Sequence, residues 1–217
     1  MRNPIVRKAL EPCLRLASLL LLRASTRPFL DALLMNPWID VPDSEVQDCC
    51  PLNQPRSQAR SFHTRDSVLV AFDTSQRQSI LDNLVKFVRL GIDPHYNSKI
   101  DSFAFGYHTT KCSKDSTKPE DRRYAESMIW LTSESVLPLL GPLKVLERLV
   151  QEFGVAKTLV HETMHFISAY PAHLQGFPPG SSEPFFMNDE VSEVGKAWEC
   201  SVFGGRVCGT VTHPHCF

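Results

Sequence analysis

One stretch of this chain constrains its fold more than any other. Between Thr158 and Ile167 there is no proline, no glycine and no charge except Glu162. Leu159, Val160, Met164, Phe166 and Ile167 make the stretch apolar on several sides. Such a segment is expected as a helix buried in a core. A lone carboxylate belongs there only if it binds or catalyses something. The same stretch holds His161, Glu162 and His165, spaced H-E-x-x-H. Residues four apart sit one turn above each other on a helix, so the two imidazoles share a face. Two imidazoles at that spacing can grip one Zn²⁺, and the Glu beside the first His can reach the water on that ion as general base.

A catalytic zinc usually takes three protein ligands, so a third is expected downstream. Pro171, Gly176, Pro178, Pro179, Gly180 and Pro184 predict a loop over 171–187. Asn188 or Asp189 then caps a predicted helix over 190–203, which ends at Gly204-Gly205. It carries Glu190, Glu193 and Glu199. Glu193 shares a face with the small Ala197 and lies near Glu190, so that face can approach the metal helix closely. Glu199 lies about 120° around the helix. Glu193 is therefore the first choice of third ligand, with Glu190 and Glu199 as alternatives. The competing reading is a solvated acidic face near a helix N-terminus.

The E-x-x-x-A spacing of Glu193 and Ala197 resembles the gluzincin pattern, in which a Glu on a following helix completes a His-His-Glu site. His161–His165 together with the block from Glu193 through Trp198 and Glu199 to Phe203-Gly204-Gly205 is similar to a group of uncharacterised fungal zinc metallopeptidases. The resemblance covers residues 124–208 and is absent over the first sixty. It implies an α+β, zincin-like fold: a small sheet packed on the H-E-x-x-H helix, then a second helix delivering a Glu. It also implies hydrolysis of a peptide or protein substrate by zinc-activated water, with Glu162 as general base. Tyr170, His173 and His213 are candidate helpers for the oxyanion. By analogy, Met128–Thr132 is the candidate edge strand for an extended peptide; the competing reading is a central, fully paired strand. Two other classes remain in view. One is a zincin-like protein that binds zinc or peptide without turnover. The other is a helical protein with a fortuitous motif.

At 217 residues one core is the default. A net charge of −1, with basic residues not clustered among aromatics, argues against nucleic acid as partner. The seven cysteines contain no C-x-x-C. Cys200, Cys208, His213, His215 and Cys216 match no zinc module, and buried or free thiols are the expectation. Arg2, Arg7, Lys8 and Arg15 precede the uncharged run Leu16–Leu22, which is too short for a stable membrane span. The reading is a soluble protein with a weak secretory or mitochondrial signal, or an amphipathic helix packed on the domain.

Residues 1–61 read as an N-terminal extension, helical then irregular, of targeting or prodomain type. Residues 62–217 read as the catalytic domain. Within it, strands are predicted at 68–72, 100–108 and 124–132, and an amphipathic helix at 76–90. A helical stretch follows Gly141-Pro142, with Leu143, Val145, Leu146, Leu149 and Val150 on one face. Gly154 separates it from the metal helix at 155–169.

Overall fold

The computed structural model describes residues 3–23, 26–35, 39–40, 60–62, isolated positions between 75 and 82, 85–94, 106–111, 126–174, 185–186 and 193–205. The architecture is mixed α+β. Helices α1 (Pro4–Leu22), α2 (Arg27–Met35), α3 (Ser133–Leu140), α4 (Val145–Leu174) and α5 (Val194–Phe203), with further helical positions between 75 and 82, accompany two small sheets among the described residues.

Helix α4 is the spine. Val155, Ala156, Leu159, Val160, Met164, Phe166 and Ile167 are buried around much of its circumference. It packs against α1, α2, α3 and α5 and against two strands. Gly154 does not interrupt it. Glycine costs a helix about 1 kcal/mol relative to alanine, too little to stop one held by so many neighbours. Nor does Pro171 end it: the helix runs on to Leu174, so the first four residues of the loop expected over 171–187 are helical. A proline removes one backbone hydrogen bond, here within the last two turns. The first turns of α4 carry the apolar face Val145, Leu146, Leu149 and Val150, and there the side chains are exposed rather than buried.

The larger sheet consists of β3 (Val88–Asp93), β4 (Gly106–Lys111) and β5 (Glu126–Thr132), in the order β3-β5-β4. β5 pairs parallel with β3 and antiparallel with β4. The 124–132 strand is thus present but central, which corrects the expected edge position of Met128–Thr132. Its alternation is clean: Ser127, Ile129 and Leu131 are buried, as a strand with one face on a core requires. On the other face Trp130 Nε1 donates to Thr109 Oγ1 at 3.0 Å and its ring stacks with Tyr107, 6.3 Å away. Tyr107 in turn donates from its hydroxyl to Asp93 Oδ2 at 2.7 Å, so this face links all three strands.

Of the helix expected over 76–90, the described positions 78, 79, 81 and 82 are helical, but Val85–Phe87 form a 3-10 turn and β3 follows. Pairing along all six residues of β3 with β5 outweighs the helical periodicity. Of the strand expected over 100–108 only 106–108 is described, and it runs on to Lys111, while the 68–72 strand lies outside the described residues. Helix α3 went unpredicted because Pro138 and its eight-residue length conceal it. Its cap is legible in the structure: Thr132 Oγ1 accepts from Ser135 N at 3.3 Å, and Ser135 Oγ donates back to the Thr132 carbonyl at 2.7 Å.

The N-terminal segment shares the same core. Asn3 caps α1, its Oδ1 accepting from Ile5 N at 2.9 Å, with Pro4 at the first helical position. Leu10, Cys13, Ala17 and Leu20 of α1 and Phe29, Leu30 and Leu33 of α2 are buried with the α4 side chains. Burial of Cys13, together with the nearby charge of Glu152 on α4, pushes its thiol up to about 12. A smaller sheet joins β1 (Ile39–Asp40), β2 (Arg60–Phe62) and β6 (Phe185–Phe186). Among the described residues, no helix is long and apolar enough to cross a membrane.

Candidate functional site

His161 and His165 stand one turn apart on α4, their ring centroids 5.0 Å from each other. Both are partly buried. Between them in sequence, Glu162 is buried to 6 % exposure. It lies beneath the start of β4, where a Cβ built on Gly106 would sit 3.6 Å from Glu162 Cγ and 2.8 Å from Thr158 Cγ2. Only glycine lets the strand pass this close to the helix.

Helix α5 supplies the acidic side of the site. It packs on α4 through Trp198 and Phe203, whose rings meet edge-to-face at 5.6 Å, and through Phe203 against Phe153 at 5.9 Å. Its N-cap is Glu193, in extended backbone at φ −157°, so the helix begins later than the predicted 190 and neither Asn188 nor Asp189 caps it. Glu193 Oε2 accepts from the Lys196 backbone N–H. Its Oε1 lies 2.9 Å from His161 Nε2 and 2.6 Å from His165 Nε2. The three groups can each present one donor atom within 4.8 Å of the others.

Glu199 sits elsewhere. It is 4 % exposed, and its Oε1 lies 2.9 Å from His161 Nδ1, the ring nitrogen opposite the cluster. Lys157 Nζ donates to the same oxygen at 3.1 Å. Glu199 is therefore not among the converging atoms, a consequence of its different direction around α5. Glu190 and His213 lie outside the described residues. Tyr170 and His173 fall in the last turns of α4, where only the backbone is described, and not in a loop. Cys13 and Cys200 are free thiols, while Cys208, His215 and Cys216 lie outside the described residues.

Electrostatics follow from this arrangement. Burial alone would lower the pKa of His161, but the bonds to Glu193 and Glu199 outweigh it and hold the imidazole at about 9. Burial would raise Glu193, yet its bonds from His161 and His165 hold the carboxyl far below the usual range. Glu199 is likewise lowered: the His161 bond and the Lys157 cation outweigh burial. Two imidazole nitrogens and a carboxylate oxygen within 4.8 Å of one another are, once the imidazoles are deprotonated, donors of the kind Zn²⁺ takes. The donor set fits that ion.

Two contributors escaped the sequence reading. Lys157 is four residues before His161 on the same helix face, a spacing that could have flagged it. Gly195 is the second helical residue of α5, and a Cβ there would lie 2.5 Å from Cγ, Cδ2 and Nδ1 of His161. A glycine beside an expected ligand, inside a helix, is itself a sign of close backbone approach. Comparison with protein-family models, curated proteins and solved structures finds no match to this chain.

Proposed function

We propose that this protein is a zinc-dependent hydrolase of peptide bonds, of the gluzincin-like type. The observation that carries the reading is the convergence of His161 Nε2, His165 Nε2 and Glu193 Oε1. These three residues would hold the ion. Zinc supplies Lewis acidity towards a carbonyl oxygen and lowers the pKa of a water molecule. Glu162, one residue along from His161 and shielded from bulk water, accepts the proton of the attacking water and passes it to the leaving amine. His161 and His165 orient the site from one rigid helix, and Glu193 closes it from the next.

The sheet suggests how a substrate is held. β5 is paired on both sides, so an extended peptide has no place on it. Among the described residues, β4 has one edge without a strand partner, and Gly106 brings the start of that strand over Glu162. Strand addition there would set a peptide backbone beside the base.

The test has two parts. Purified protein is assayed for stoichiometric zinc by metal analysis, and for cleavage of a fluorogenic peptide library with and without chelator. Cleavage lost on chelation and restored by zinc is expected. Glu162→Gln should keep the metal and lower turnover by about 100-fold or more. Full activity in that variant removes Glu162 as the base. Zinc bound without any cleavage reduces the protein to a binding role.

A further inference from the structure

We propose that Glu199 and Lys157 form a positioning relay behind His161, selecting the ring nitrogen that the metal receives. The inference rests on the zinc reading above. A neutral imidazole offers one lone pair, and the hydrogen bond at one nitrogen decides which of the two is free. Glu199 Oε1 is 2.9 Å from His161 Nδ1. An ionised carboxylate only accepts, so Nδ1 carries the proton. In the metal-free protein Nε2 donates its own proton to Glu193 Oε1 at 2.9 Å; when the ion binds, Glu199 retains the Nδ1 proton, so Nε2 is the nitrogen that gives up its proton and offers the lone pair.

Helix α5 thus presents one carboxylate to each side of a single ring. Gly195 lies between them, against the ring itself. The ring cannot flip without giving up a bond at each nitrogen. Lys157 completes the device from one turn earlier on α4, donating to the same Glu199 oxygen at 3.1 Å. Glu199 is almost wholly buried, with its side chain 5 % exposed. A carboxylate with no partner there would be costly, and the Lys157 ammonium pairs with it and fixes its direction. The relay touches neither substrate nor metal and acts only through His161.

The test measures zinc affinity by competition with a chromophoric chelator, on wild type, Glu199→Ala and Glu199→Gln. Glu199→Ala should bind zinc about 10- to 100-fold more weakly. Glu199→Gln keeps the size and one acceptor oxygen and should recover part of that loss. It also serves as the readout if the alanine variant does not fold by circular dichroism. In ¹H–¹⁵N spectra of the zinc-loaded wild type, His161 should show a slowly exchanging Nδ1–H. That signal should be lost to fast exchange in Glu199→Ala, or weakened in Glu199→Gln. Lys157→Met added to Glu199→Ala should weaken zinc binding no further. Zinc affinity within twofold of wild type in both Glu199 variants, with the Nδ1–H unchanged, overturns the relay alone. So does a further large loss from Lys157→Met in the alanine background. A wild-type protein that binds no zinc overturns the relay and the proposed function together.

Discussion

The two oxygens of Glu193 are divided between the backbone and the site. Oε2 caps α5, and Oε1 lies between two imidazoles. Serine can cap a helix but cannot reach the rings. In the metal-free protein, Glu193→Ser should therefore be more stable than Glu193→Ala by about 1 kcal/mol in urea denaturation, while neither variant binds zinc. Equal stability of the two would remove the capping role. The pH dependence is also set by single residues. His161 is raised from 6.5 to about 9, so its stabilising charge is fully present below 6.5 and lost as pH rises through 9. Glu193 is lowered from 4.5, so its contribution is present above 4.5 and lost only well into acid, through its depressed folded pKa. The metal-free protein should melt highest between these two limits and less well as pH climbs towards 9, by scanning calorimetry. At the proposed site zinc would have to displace the His161 proton. Its affinity should therefore rise with pH up to about 9 and level off above, and titration in buffers of different ionisation enthalpy should show proton release.

At the scale of elements, the seating of α5 on α4 depends on Gly195. Alanine is the better helix former by about 1 kcal/mol, so Gly195→Ala would stabilise a freely placed helix. Here the added methyl meets the His161 ring, and the expected result is destabilisation by about 1–3 kcal/mol. Zinc affinity should fall by about tenfold or more as the ring shifts. A variant with gained stability and unchanged affinity would show that the helices can part at no cost. Helix α1 offers a second measurement. Cys13 is fully buried and its thiol is held protonated, so peptide mapping after brief alkylation should find it unlabelled in the folded protein and labelled on unfolding. Labelling in the native state would mean that α1 leaves α4 readily. The docking itself was open in the sequence, where basic residues around Leu16–Leu22 suit a targeting segment as well as a packed amphipathic helix. Burial of Leu10, Cys13, Ala17 and Leu20 against α4 settles which face is covered.

Across the whole molecule, α4 joins the site to the core, because the helix that carries both histidines also packs on α1, α2, α3, α5 and the sheet. Ligand binding to a folded site stabilises the entire cooperative unit. Free zinc at 100 times its dissociation constant should raise stability by about 2.7 kcal/mol, visible as a higher melting temperature that chelator reverses. An unchanged melting curve would mean that the ion does not engage this site.

What the sequence determined by itself is local. Four-residue spacing on an apolar, unbroken stretch places His161 and His165 on one helical face, and Gly204, at φ 76°, ends α5 where glycines predict a stop. Such features depend on neighbours along the chain, which periodicity and capping rules describe. Tertiary structure alone decided that Glu193 meets Nε2 while Glu199 meets Nδ1, that β5 lies inside its sheet, and that residues 85–93 leave helix for a 3-10 turn and a strand. Each of these depends on contacts between segments far apart in sequence, where pairing register and helix seating outweigh local preference.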